Sequence, residues 1–239
     1  MFTTVNEFIA TIFETRYGRR PSVLLNAAPY EPSQDRITAR IKLRRLAGLP
    51  DTAKVVLFQG WLSSERNLET LVRAAALFPK GTYLVLIGYG PMEAKLQTIA
   101  ESVAEGKVRF LGRCDGDELR ELTCGADVGV IPYIPIDDNH RYCSPNKFFE
   151  FVQARLHILC HDLPFFREMM AATSLVKTVS MERAEAIAEG VRVVLEGTEV
   201  SLSEADLIAR SLAWEAQKPT LLGGYYELFQ ADTHGQPGG

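Results

Sequence analysis

From Lys54 onward, short runs of apolar residues alternate with helical patterns, and this alternation constrains the fold more than any other feature of the chain. The segments KVVLFQG (54–60), TYLVLIG (82–88), KVRFLG (107–112), ADVGVIPY (126–133), LHILCHD (156–162) and SLVKTV (174–179) read as strands. Between them, RNLETLVRAAALF (66–78), MEAKLQTIAESVAEG (92–106) and DGDELRELTCGA (115–126) read as helices. Strands that are apolar throughout, rather than at every second residue, are buried on both faces, and interleaved helices supply the two covers. The fold class is therefore α/β, a parallel sheet with helices on both faces. Ligands of such sheets bind beyond the carboxyl ends of the strands, at the point where strand order reverses. The loops of interest follow Gly60, Gly88, Gly112, Tyr133 and His161.

One of these connections carries most of the chemistry. Residues 139–162, NHRYCSPNKFFEFVQARLHILCHD, predict a polar loop, an abrupt helix start and a buried strand. Ser144 suits the N-cap and Pro145 the first helical position, where a missing N–H costs nothing. Phe148, Phe151, Val152 and Leu156 recur at helical spacing, with Asn146, Lys147, Glu150 and Gln153 on other faces. A lysine in the first turn opposes the helix dipole, so Lys147 is better explained by an anion that it meets. Glu150, one turn deeper, can accept hydrogen bonds from vicinal hydroxyls such as those of a ribose. Phosphate at the helix mouth and sugar hydroxyls behind it make a nucleotide site.

The same segment carries a family resemblance. SPNKFFEF, LHILCHD and the following LPFFREM resemble the donor-binding core of GT-B glycosyltransferases, especially the retaining group called family 4. The resemblance implies that this chain is one half of a GT-B fold, a Rossmann-like donor-binding domain with C-terminal helices. It casts Glu150 as the holder of the donor ribose, and Arg66 and Lys147 as the cations that stabilise the departing diphosphate. These three are the candidate catalytic residues. Many members carry two glutamates, the first touching the donor sugar; Tyr142 stands at that first position, and the PNK-F-E variant recurs among related transferases. The resemblance further implies a UDP- or GDP-sugar as donor, with no cofactor and no metal, and a glycan or a lipid-linked molecule as acceptor.

The resemblance also orders the rest of the chain. Residues 1–50 are the remainder of a first domain plus a connector, with a helix ending near Gly18, the strand SVLLN, and a hinge marked by Asn26 and Pro29. An acceptor domain of about 150 residues would precede them. Residues 51–232 are the donor-binding domain with its terminal helices, and 233–239 a disordered tail. Trp214, Leu221, Leu222, Tyr225, Tyr226, Leu228 and Phe229 supply apolar anchors for a last helix that crosses back onto the first domain.

Further positions follow from the turns. Gly60 permits close backbone approach, and Arg66 opens the next helix, either meeting the diphosphate or pairing with Glu65 or Glu69. Trp61 occupies a position where many members have arginine. Gly88, in IGYGP, either lines the cleft or makes a plain tight turn; the motif lacks the third glycine of a nicotinamide fingerprint. Arg113 and Cys114 are candidates for base contact, ahead of a helix capped by Asp115 or Asp117. The connection from Pro132 to Cys143 is far longer than the ~2–6 residues usual for such units, and long ordered loops carry function. Within it, His140 and Arg141 either reach donor phosphate or stay exposed, and Asp137 and Asp138 either hold a metal or are solvated. With Tyr142, Ser144, Pro145 and Asn146 these complete the candidate donor-binding set. His161 and Asp162 follow the fifth strand, where a ligand would touch.

Composition excludes other classes. The 239-residue chain is 46% hydrophobic and 23% charged with net charge −4, which supports a sizeable core and argues against a nucleic-acid partner. The basic groups Arg16, Arg19 and Arg20, and Arg40, Lys42, Arg44 and Arg45, form a solvated face or a site of peripheral membrane attraction. Cys114, Cys124, Cys143 and Cys160 lack metal-ligand spacing and read as reduced thiols. No apolar run nears the ~18 residues of a membrane span, and no signal peptide opens the chain. A cytoplasmic location follows. Two further readings are a non-hydrolysing nucleotide-sugar epimerase, and a non-catalytic donor-binding subunit that joins a separate acceptor-domain polypeptide.

Overall fold

The computed structural model describes residues 2–32, 35–197 and 200–233. A small N-terminal unit comprises β1 (Thr3–Thr4), α1 (Glu7–Tyr17) and β2 (Ser22–Val23), and is followed by α2 (Arg36–Leu46). The main body runs β3 (Lys54–Gln59), α3 (Leu68–Ala75), β4 (Thr82–Ile87), α4 (Glu93–Val103), β5 (Val108–Gly112), α5 (Gly116–Cys124) and β6 (Val128–Ile131). It continues through α6 (Asp138–Arg141), α7 (Asn146–Gln153), β7 (His157–His161), α8 (Pro164–Ala172), β8 (Val176–Val179) and α9 (Ala184–Glu196). Helices α10 (Leu202–Ser211) and α11 (Trp214–Thr233) follow.

The six strands β3 to β8 form one parallel sheet in the order β5-β4-β3-β6-β7-β8. Every expected strand is present. Strand order reverses between β3 and β6, so a crevice opens where their carboxyl ends part. In β3, Val55 to Gln59 are all buried, as a strand covered on both faces requires.

Glycines set how closely the covers approach. A Cβ at Gly129 in β6 would lie 2.5 Å from the Phe151 ring, so this glycine admits α7 onto one face. Gly190 of α9 does the same on the other face, where a Cβ would meet Val179 and Leu159. Helices α3, α4 and α9 pack together on one side, and α2, α5, α7 and α10 on the other. The helix expected as a connector, α2, buries Ala39 and Leu43 in the same core as the sheet. Its Arg44, 1% exposed, donates to the Asp127 carboxylate at 2.8 Å, which also accepts from Arg40 at 2.8 Å and from the Val55 N–H. Burial pulls the Arg44 pKa down and Asp127 opposes that shift.

Several local expectations change. Only Ser22–Val23 of the expected SVLLN strand pairs, with β1. Arg66 does not open the helix: it ends a 3-10 turn, Ser64–Arg66, and Asn67 in the left-handed region (φ 53°) separates it from α3. Asn67 Nδ2 donates to the Pro132 and Met181 carbonyls, so distant backbone sets that break. Helix α7 starts one residue later than expected, with Pro145 as N-cap and no side-chain cap. The Ser144 hydroxyl is recruited elsewhere: it donates to the Val5 carbonyl at 3.2 Å and accepts from Asn6 Nδ2 at 3.3 Å. In the long loop, Asp137 caps the short helix α6, and Asp115 rather than Asp117 caps α5.

The start of α11 is tied to the segment after β2. The Trp214 N–H donates to the Ala28 carbonyl, Tyr30 N–H to Glu215, and Leu25 N–H to Gln217. Leu222, Tyr225, Tyr226 and Phe229 on that helix are about half or more exposed. Thr233, expected in the tail, closes the helix. The side chain of Leu228, expected as an anchor, and residues 234–239, expected as a disordered end, lie outside the described residues.

Candidate functional site

The crevice at the strand-order reversal holds a cleft of about 480 Å³. Its walls include Gln59 at the end of β3, Gly60 and Trp61 just after it, Arg66, Tyr133 after β6, and Ser144 to Lys147 with Glu150 around the start of α7. An adjoining cavity of about 330 Å³ lies between α5, α7 and residues 26–31, and shares Asn26, Gln59, Leu119, Asn146 and Glu150 with the first. Glu150 therefore faces both.

Two cations converge on one ring. The Arg66 guanidinium carbon lies 4.5 Å, and Lys147 Nζ 4.9 Å, from the centroid of Tyr133. Lys147 Nζ also lies 4.1 Å from the centroid of Phe58. Aromatic faces attract a desolvated cation but do not neutralise it. Among the described residues, the ammonium has no hydrogen-bond acceptor or carboxylate within contact distance. Burial, and secondarily the charge of Arg66, lower the Lys147 pKa to about 7, against a smaller opposing effect of Glu150. Tyr133 itself is buried, and that burial pushes its phenol up to about 12, so the ring stays neutral beneath the cations. The Arg66 side chain is 30% exposed and comes no nearer than 4.0 Å to Glu65, whose Oε1 accepts from Ser63, so both cations remain available to an anion.

The backbone around the cations is shaped for close approach. A Cβ at Gly60 (φ 126°) would sit 3.3 Å from Lys147 Nζ. Gly88 does not line the cleft. It props the Gly60 turn from behind: its N–H donates to the Gly112 carbonyl, and a Cβ on it would lie 1.9 Å from the Gly60 oxygen. Helix α7 points its uncapped first turn at the same space, adding partial positive charge.

One turn deeper, Glu150 Oε2 accepts from Gln59 Nε2 at 2.6 Å. Gln59 and Thr123, both 2% exposed, were not among the residues singled out from the sequence. The available signal was a polar residue closing an otherwise apolar strand just before a glycine.

The remaining candidates fall in two groups. Pro145, Asn146, Ser144 and Trp61 line the cleft with the cations and Glu150. Trp61 meets Tyr89 edge-on at 4.9 Å, and Arg113 stacks on Tyr89 at 5.2 Å, so Arg113 lies at the rim outside the lining. Cys114 is partly buried against the core, outside the cleft lining. Tyr142 turns away: its ring stacks on Phe8 of α1 at 6.4 Å and its carbonyl accepts from Asn6. His140 is 7% exposed, bonded through Nδ1 to Asp137 at 2.8 Å and set edge-on behind Tyr133. It thus supports the ring rather than reaching the cleft, while Arg141 is exposed. His161 Nδ1 accepts from the Met181 N–H, and Asp162 pairs with Arg167.

Comparison with known proteins agrees with this architecture. The family described as glycosyl transferases group 1 matches residues 53–197, well over half of the chain. An uncharacterised glycosyltransferase of Methanocaldococcus jannaschii is 37% identical over 98 residues, 40% of this chain and 25% of that protein. The fold is similar to that of Anabaena HepE in complex with UDP and glucose (TM-score 0.71, 16% identity, 94% of this chain and 62% of that one). It is also similar to WaaG, a glycosyltransferase involved in lipopolysaccharide biosynthesis (TM-score 0.66, 17% identity, 90% and 61%). Sucrose-phosphate synthase from Thermosynechococcus elongatus gives a TM-score of 0.68 at 18% identity, over 95% and 58%. The chain thus spans a quarter of the curated relative and about three-fifths of these solved structures. On the match to residues 53–197, the chain belongs to the glycosyl transferases group 1 family.

Proposed function

We propose that the chain is the nucleotide-sugar-binding part of a retaining GT-B glycosyltransferase, which moves a sugar from a UDP- or GDP-sugar to a glycan or lipid-linked acceptor. One observation carries the reading: Arg66 and Lys147, from separate loops, share the Tyr133 ring at the uncapped mouth of α7, with Glu150 one turn behind. The diphosphate lies against the two cations, and the ribose hydroxyls meet Glu150. As the glycosidic bond breaks, charge grows on the diphosphate. Fixed cations and helix N–H groups aimed there stabilise the leaving group without reorganising. Anabaena HepE, of similar fold, is seen with UDP and with UDP-glucose, which supports this donor class.

The acceptor is held by a second domain or polypeptide. The exposed apolar residues further along α11, a helix whose start is tied to the 25–30 segment, favour such a neighbour. No helix among the described residues is long and apolar enough to cross a membrane. With buried thiols at Cys124 and Cys160, this suits work in the cytoplasm, with at most peripheral membrane attachment.

Calorimetric titration with UDP, GDP and ADP tests the proposal. At least one nucleotide binds, raising stability by about 2.7 kcal/mol at a hundred times its Kd. Replacing Lys147 by Met removes a charge-assisted hydrogen bond of about 1.5–3 kcal/mol, a roughly 10- to 100-fold loss of affinity. Absence of binding by all three nucleotides, or affinities untouched by both Lys147→Met and Glu150→Gln, would refute it.

A further inference from the structure

We propose that Gln59 is a positioning residue, which holds the Glu150 carboxylate in the orientation that receives the ribose, with Thr123 fixing Gln59 in turn. This rests on the ribose role of Glu150. A primary amide that is 2% exposed at the end of an apolar strand is costly unless both of its ends are bonded. In Gln59 neither end turns to sheet backbone. Nε2 donates to Glu150 Oε2 at 2.6 Å, and Oε1 lies 2.7 Å from the Thr123 hydroxyl.

The orientation of the amide is determined by chemistry. An ionised carboxylate only accepts, so the NH2 group must face Glu150 and the carbonyl must face Thr123, which can donate. The single proton of that hydroxyl is shared with the Leu119 carbonyl, 2.6 Å away one turn back in α5, so the hydroxyl's rotamer is restricted. The result is a chain of contacts from α5 through β3 to α7, crossing the point where strand order reverses. It occupies one lone-pair region of Oε2. Oε1 has no donor among the described residues and is left to accept from a vicinal diol. A glutamate with three free torsions would lose entropy on gripping a ribose; one already held loses less. Gln59 also immediately precedes Gly60, whose backbone sits against Lys147, so one turn sets both the phosphate and the ribose ends of the site.

The test compares UDP with 2′,3′-dideoxy-UDP by calorimetry on wild-type protein, Gln59→Met and Thr123→Val. Met matches the length and burial of Gln while removing both polar ends. The wild type prefers the ribonucleotide; Gln59→Met lowers that preference about tenfold and leaves the dideoxy affinity unchanged. Thr123→Val shifts it the same way by less, and supplies the result should Gln59→Met fail to fold. Equal weakening of both nucleotides, or an unchanged preference in the variants, overturns the positioning role while leaving Glu150 as the ribose acceptor. A wild-type protein that binds both nucleotides equally overturns the ribose role and this one with it; one that binds neither is titrated with GDP and 2′,3′-dideoxy-GDP, and absence of a ribose preference there overturns both.

Discussion

Replacing Lys147 by methionine should change how stability depends on pH, and the change follows from where the ammonium sits. In the folded protein burial and Arg66 hold its pKa at about 7, well below the ordinary lysine value of 10.5. Between those values the unfolded chain binds the proton and the folded chain does not. Unfolding therefore takes up a proton, and stability rises with pH at up to about 1.4 kcal/mol per unit. Below about pH 7 both states are protonated and the burden is constant. Integrated from pH 7 to 9, the gain for wild-type protein is about 2 kcal/mol. Lys147→Met lacks this gain and keeps the side chain's apolar contacts with Phe58 and Tyr133. Urea denaturation of both proteins at pH 7, 8 and 9 measures it, provided their m-values agree. The variant is the more stable of the two at pH 7, and its advantage shrinks by about 2 kcal/mol by pH 9. Arg66→Gln removes one of the forces lowering the pKa and moves the window upward. Parallel stability curves for wild type and Lys147→Met would refute the claim that this ammonium is buried with no carboxylate or hydrogen-bond acceptor among the described residues. A bound diphosphate restores the charge, so binding at pH 8 takes up a proton, readable from calorimetry in buffers of different ionisation heat.

Gly88→Ala places a methyl 1.9 Å from the Gly60 oxygen in a backbone conformation that favours glycine, so it lowers stability by about 2–4 kcal/mol and displaces the Gly60 turn. Thermal denaturation and nucleotide titration should both register it, whereas Gly223→Ala in α11, with nothing within 4 Å, leaves nucleotide affinity unchanged. Asp127→Ala strands the buried Arg44 guanidinium and costs about 3–5 kcal/mol in denaturant unfolding, without altering the cleft at the other end of the sheet.

Much of the fold was legible because the relevant signals are local. Continuous apolar runs of strand length, separated by helical periodicity, specify buried parallel strands whatever else the chain does, and all six were where their residues implied. Gly60 and the first turn of α7 could be read for the same reason, since a glycine after a strand and a lysine opposing a helix dipole are visible within a few residues. Ser144 shows the limit. By local rules it caps α7; in the folded chain its hydroxyl serves Val5 and Asn6, 139 and 138 positions away.

The site itself depended on such distant pairings. Gln59 meets Glu150 across 91 positions, and Arg66 meets Lys147 only because Tyr133, from a third loop, lies beneath both. Tyr142 and His140 sit in the same loop as the cleft lining, yet α1 draws one away and Asp137 and Tyr133 hold the other behind the ring. The sequence by itself determined the parallel sheet, the crevice and the chemistry gathered near it, because backbone hydrogen bonding and side-chain burial act over short stretches. Only the tertiary structure decided which of those side chains enter the crevice and which cation lies, among the described residues, on aromatic rings with no carboxylate in contact. Those outcomes turn on packing and desolvation among residues that the chain keeps far apart.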